Sequence, residues 1–161
     1  MSIVSILFYT LVIKSQCISI ASWALLYLGT NPKWKRKATD EYKALVDNYT
    51  NSTSSEPLHK RLSIIPLEAW ENELPSLDAI IRETLRISVS FTFLRRNVGK
   101  EIQIGEATIK RGDFLAYPTS DVNLNPDIYT NPMEFDPDRY GPSREEDRKE
   151  PFGYLSWGAG V

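Results

Sequence analysis

Six prolines punctuate the C-terminal part of the chain, at positions 118, 126, 132, 137, 142 and 151. Proline has no backbone N–H and holds φ at about −65°, so prolines this dense exclude a long helix and a central strand. An ordered segment of that composition has to meander, and it takes its stability from packing on something else. Residues 118–161 are therefore expected to lie over a scaffold supplied by the residues upstream.

The upstream sequence is regular enough to be that scaffold. Residues 2–29, SIVSILFYTLVIKSQCISIASWALLYLG, form an apolar run long enough for a membrane span of about 20 residues. Lys14, Ser15 and Gln16 interrupt it near the middle, where a charge in lipid is costly. Two readings of 1–29 stay open: a long central helix in a protein core, or a membrane span. Cys17, the sole cysteine, excludes an internal disulfide framework and reads as a small buried hydrophobe. A net charge of −2 and a pI of about 5.5 exclude a nucleic-acid partner.

Asn31 or Thr30 is placed to cap the next helix, with Pro32 in its first turn. Residues 30–49 then carry Trp34, Ala38, Tyr42, Leu45 and Tyr49 at helical spacing among charges, an amphipathic surface helix. Residues 50–72 open on a Ser/Thr-rich stretch and read as a linker, with His59 a solvated loop residue. Residues 73–90 form a helix starting at Pro75-Ser76, with Leu77, Ile80, Ile81, Thr84 and Leu85 on one stripe. Short alternating runs at 101–105, 107–110 and 114–117, with a turn at Gly112, make 91–117 a small β element. The fold class is mainly α with a small antiparallel β element.

Glu83 and Arg86 stand three apart and share a helix face; alone, such a pair is an ordinary surface ion pair of little energetic weight. The Pro-rich stretch FDPDRY supplies a second arginine, Arg139. A carboxylate buried between two guanidinium groups is tolerated only when every donor and acceptor is matched, a demand that bidentate arginine geometry meets.

The order of these elements, ETLR at 83–86, then DPDRY, then FGYLSWGAGV, resembles the C-terminal part of a cytochrome P450, a haem-thiolate monooxygenase of fungal type. The lead-in VNLNPDIYTNPMEFDPDRY and the stretch WALLYLGTNPKWKRKATDE carry the same likeness, which covers about Ala21 to Val161. The resemblance implies a partial cytochrome P450 fold in which Glu83, Arg86 and Arg139 form a structural lock. It gives Arg96 a haem propionate to pair with, Arg95 being the alternative, and places Trp157, Gly158 and Gly160 on the loop that approaches the haem. It puts the axial cysteine three residues beyond Val161, so a fragment inactive by itself is expected. In the stretch matching the oxygen-binding helix groove, Gln16 and Cys17 stand near the alcohol position and no carboxylate is present. The implied activity is insertion of one oxygen atom from O2 into an apolar, sterol- or lipid-like substrate. Electrons would come from a reductase, at the cytosolic face of the endoplasmic reticulum membrane. The competing reading is a non-enzymatic single-pass membrane protein with a small α+β domain.

Overall fold

The computed structural model describes the backbone of residues 3–50 and 56–156, and side chains from Cys17 onward. Helix α1 spans Ile3–Thr30 and α2 spans Pro32–Tyr49. Two short helices follow, α3 at Leu58–Ser63 and α4 at Leu67–Asn72, before α5 at Pro75–Ser88. Strands β1 (Thr92–Arg96), β2 (Ile102–Ile104), β3 (Ala107–Ile109) and β4 (Phe114–Pro118) come next, then α6 at Ser120–Asn123. The rest is irregular apart from 3-10 turns at Pro137–Tyr140 and Glu146–Arg148.

Helix α5 is the platform of the fold: α1, α2, α6 and the Pro137–Tyr140 turn all pack on it. Proline at its start removes one orphan donor. Two more, the backbone N–H groups of Ser76 and Leu77, donate to the Glu41 carboxylate of α2 at 2.9 and 3.0 Å. A carboxylate at a helix N-terminus also meets the positive end of the helix dipole, so one side chain caps α5 and ties it to α2. Asn31, the expected cap of α2, makes no side-chain capping bond and instead donates to the Tyr27 carbonyl at 2.8 Å, closing α1. Tyr27 stacks on Phe135 of the meander, with ring centroids 4.4 Å apart, and shares a hydrogen bond with Ser88.

The expected linker at 50–72 holds two helices and part of the core. Ile65 and Ala69 are buried with Leu45, Val46 and Leu74, and Tyr42, Leu62, Trp70 and Leu77 pack around them. Pro57 and Pro66 immediately precede α3 and α4 and set the chain direction into each. His59 is exposed, as the sequence implies, but lies in α3 rather than in a loop.

The β element is two separate antiparallel pairs. β1 pairs with β4, in register from Thr92 opposite Pro118 to Arg96 opposite Phe114. β2 and β3 form a hairpin whose two-residue turn places Gly105 at φ 55°, a conformation favoured by glycine. β1 was not foreseen, because Arg95 and Arg96 read as charges before a strand; they are its last two residues. Hydrogen bonds in both directions between Phe91 and the fully buried Thr119 join the β1–β4 pair to α6.

No helix among the described residues is long and apolar enough to cross a membrane, and most of the 1–29 stretch has side chains outside the described residues. Cys17 is exposed rather than buried, as are Ile18, Leu25 and Leu26. Ile81 departs from its expected stripe: it is 41% exposed, whereas Ile80 is fully buried. Truncating Ile80 to alanine should therefore lower the unfolding free energy by about 3 kcal/mol, and Ile81→Ala by less than about 1 kcal/mol. Chemical denaturation of the two variants measures the difference.

Candidate functional site

Glu83, Arg86 and Arg139 meet in the interior. All three side chains are essentially inaccessible to water. Arg86 is bidentate on Glu83, its Nε donating to Oε2 and its Nη2 to Oε1, both at 2.8 Å. The Nε of Arg139 donates to Oε1 at 2.9 Å, the backbone N–H of Asp136 to the same oxygen at 3.0 Å, and the Tyr140 hydroxyl to Oε2 at 3.0 Å. The carboxylate thus accepts five hydrogen bonds. Helical spacing brings Glu83 and Arg86 onto one face of α5, and the 3-10 turn at 137–140 swings Arg139 and Tyr140 onto that face.

Other guanidinium donors go to backbone carbonyls of the meander. Arg86 reaches the Asn123 carbonyl at 2.7 Å; Arg139 reaches those of Thr130 at 3.1 Å and Glu134 at 3.2 Å. These bonds replace the ladder partners that a Pro-rich segment lacks. Both arginines also lie over the face of the buried Tyr129 ring.

A second shell of charge was not anticipated. Arg139 also pairs with Glu146, whose other oxygen accepts two bonds from Arg144, and Arg144 pairs in turn with Asp136. Three carboxylates, Glu83, Asp136 and Glu146, thereby balance three guanidinium groups, Arg86, Arg139 and Arg144. In the sequence, REEDR at 144–148 reads as an exposed charge run; the only hint is opposite charges packed closely inside a segment that has to be ordered. Burial by itself would push the Glu146 carboxyl up, but hydrogen bonds and charge from Arg144 and Arg139 hold it below the usual carboxylate range. Tyr140 moves the opposite way, since burial and the neighbouring Glu83 charge raise its hydroxyl well above the ordinary tyrosine value. It remains a neutral donor to Glu83.

The segment entering the glycine-rich stretch is tethered to this centre. The Tyr129 hydroxyl donates to the Gly153 carbonyl at 2.7 Å, and the Tyr154 hydroxyl to the Arg82 carbonyl at 3.2 Å. Arg82 pairs with Asp147 at 2.6 Å and lies over the Tyr140 and Tyr154 rings. At Gly153 a Cβ would come within 2.8 Å of the Asp147 carbonyl oxygen, so the chain passes there only as glycine. Trp157, Gly158 and Gly160 lie outside the described residues.

Arg96 stands apart from the cluster, at the end of β1. Its Nε donates to the Gly112 carbonyl at 3.2 Å, its guanidinium lies over Phe114, and no carboxylate among the described residues is within ion-pair distance. With Arg111, Asn97, Val98 and Gly112 it lines an open concavity of about 240 Å³ that contains no acidic side chain. Asn97 shapes that turn by donating to the carbonyls of Lys100, Ile109 and Lys110. Such a donor set suits a carboxylate-bearing group, and the propionates of a haem are of that kind. Arg95, the alternative, donates to the neighbouring Leu94 carbonyl. Of the two residues placed near the oxygen-binding groove, Cys17 lies on the exposed surface of α1, and the Gln16 side chain falls outside the described residues.

Burial sets how each pair responds to mutation. Glu83→Gln removes one counter-charge from the interior cluster and leaves Arg86 with no carboxylate partner among the described residues, and should cost about 3–5 kcal/mol in denaturant unfolding. Arg144→Ala, at a side chain 32% exposed but donating twice to the buried Glu146, should cost about 1–3 kcal/mol. Because the folded-state pKa of Glu146 is depressed, its stabilisation is present above the unfolded carboxylate pKa and is lost as pH falls through the folded value. The stability gap between the parent chain and Glu146→Gln should therefore be widest near neutrality and close progressively below about pH 4.5. Urea titrations from pH 7 downward measure it.

Comparison with known proteins agrees with this geometry. The family profile for cytochrome P450 matches residues 18–161. The chain is 33% identical to cytochrome P450 monooxygenase AacuE of Aspergillus aculeatus, aligned over 94% of this chain and 31% of that protein. It is 30% identical to a sterol 14alpha-demethylase of Mycolicibacterium vanbaalenii, over 87% of this chain and 28% of that protein. A cyanobacterial structure, retinoic acid-bound CYP120A1, superposes with a TM-score of 0.67 at 24% identity, over 88% of this chain and 29% of the other. The chain thus spans under a third of the length of these relatives. With the match running from α1 through the charge cluster to the end of the chain, the protein belongs to the cytochrome P450 family.

Proposed function

We propose that the complete protein carrying this chain is a haem-dependent monooxygenase that inserts one oxygen atom from O2 into an apolar, sterol- or lipid-like small molecule. The supporting observation is the family match over 18–161, within which Glu83, Arg86 and Arg139 converge. An electron-donating reductase is the partner in this reading, and the cytosolic face of the endoplasmic reticulum membrane the location. That the match takes in α1 from residue 18 favours a helix of the enzyme fold over a single-pass anchor.

Haem, when bound, supplies the activation of O2. The residues of this chain supply position and charge. Arg96, with guanidinium donors free of any described carboxylate, would hold a propionate oxygen; Trp157 would open the loop that approaches the haem, and Gly158 and Gly160 would let its backbone near the macrocycle, where a Cβ would clash. Glu83, Arg86 and Arg139 act one step removed. They hold α5 and the meander in one arrangement, and Tyr129 and Tyr154 carry that arrangement to the segment leading into the loop. Together with Asp136, Arg144 and Glu146 the lock is electrically balanced, and it serves as a fixed support.

A reduced, CO-bound difference spectrum of the complete protein should show the thiolate-type Soret band, and a spectrum without it would sink the proposal. In the same preparation Arg96→Ala should lose haem about tenfold faster than the parent, with Arg96→Lys intermediate, as followed by haem transfer to a scavenger protein.

A further inference from the structure

We infer that Asn123 is a positioning residue that connects the Glu83–Arg86–Arg139 cluster directly to the backbone entering the glycine-rich stretch. Asn123 is the last residue of α6 and is fully buried. Three of its hydrogen-bonding groups face in two directions. Its main-chain carbonyl accepts Nη1 of Arg86 at 2.7 Å. Its side chain reaches the other way: Oδ1 accepts the Leu155 backbone N–H at 3.1 Å, and Nδ2 donates to the Ser156 hydroxyl oxygen at 3.3 Å. The obligatory donor at Leu155 fixes which end of the amide is oxygen.

This arrangement answers a need of the fold. Leu155 and Ser156 are buried, lie in no helix or strand, and immediately precede Trp157. Their polar groups have no ladder to join and would be costly to leave unpaired. The amide at 123 meets both from separate atoms of one planar group, an acceptor for the Leu155 N–H and a donor for the Ser156 oxygen. Because the helix carbonyl and the side chain belong to one residue, movement at Arg86 is transmitted to Leu155 through a single rigid unit. The inference rests on the monooxygenase reading only for the haem that the positioned segment would serve.

Asn123→Ala separates the two directions, since it deletes both side-chain bonds and keeps the carbonyl that Arg86 holds. Hydrogen–deuterium exchange of the purified, haem-free protein should then quicken about tenfold over 152–156 and stay unchanged over 80–86, with little change in global unfolding. Exchange over 152–156 that changes no more than exchange over 80–86 overturns the assignment. Should Asn123→Ala fail to fold, Ser156→Ala decides, because it removes the Nδ2 acceptor alone. An increase of about threefold confined to 152–156 supports the assignment, and unchanged exchange overturns it. In haem-loaded protein the thiolate-type fraction of the CO spectrum should fall in Asn123→Ala relative to the parent. A missing band in the parent counts against the monooxygenase reading, whereas exchange is read without haem and bears on Asn123 alone.

Discussion

The interior of this protein is arranged around one carboxylate. Glu83 sits out of reach of water between two guanidinium groups, and five donors converge on its two oxygens. Taking three charges from water is costly, and their attraction compensates only when geometry and hydrogen bonding are complete. Few chain paths meet that demand. The path followed runs the meander across α5 so that carbonyls at Asn123, Thr130 and Glu134 take up the leftover arginine donors. A segment with six prolines cannot organise itself through ladders of its own, so the buried charges stand in for a sheet or helix.

Much of the remaining architecture serves to hold α5 in place for this role. Glu41 caps its first turn from α2, Tyr27 of α1 stacks on Phe135 of the meander, and Thr119 joins the β1–β4 pair to α6. The outer charges of Asp136, Arg144 and Glu146 neutralise the excess positive charge that Arg139 would otherwise bring. Support then passes outward through Tyr129, Tyr154 and Asn123 to residues 153–156. Arg96 belongs to a different structural unit, the end of β1, where it hydrogen-bonds to the Gly112 carbonyl rather than to the lock.

The pattern in which the sequence succeeds and fails follows from how local each determinant is. The mainly α class with a small antiparallel β element was legible because amphipathic spacing in α2 and α5 and short alternation near residues 102–109 are local properties. Glu83 and Arg86 were legible as a pair by helical geometry, whereas Arg139, fifty-three residues beyond Arg86, joined them only through resemblance to a known order of motifs. Arg95 and Arg96 concealed β1 because charged residues score poorly as strand formers, yet an exposed strand edge tolerates them. Residues 58–72 concealed two helices because six-residue helices leave too little periodicity to read, and tertiary packing of Ile65 and Ala69 stabilises them.

The sequence by itself determined the helical character of α1, α2 and α5, where prolines would forbid regular structure, and which family's motifs the chain carries. Each of these depends on residue type and spacing along the chain. Only the tertiary structure decided that Glu146 and Arg144 complete the charge balance, that Asn123 faces both Arg86 and Leu155, and that Cys17 and Ile81 lie exposed. Those outcomes depend on which distant groups share a water-free site, and the cost of an unpaired charge or amide there is set by three-dimensional neighbours that spacing along the chain does not reveal.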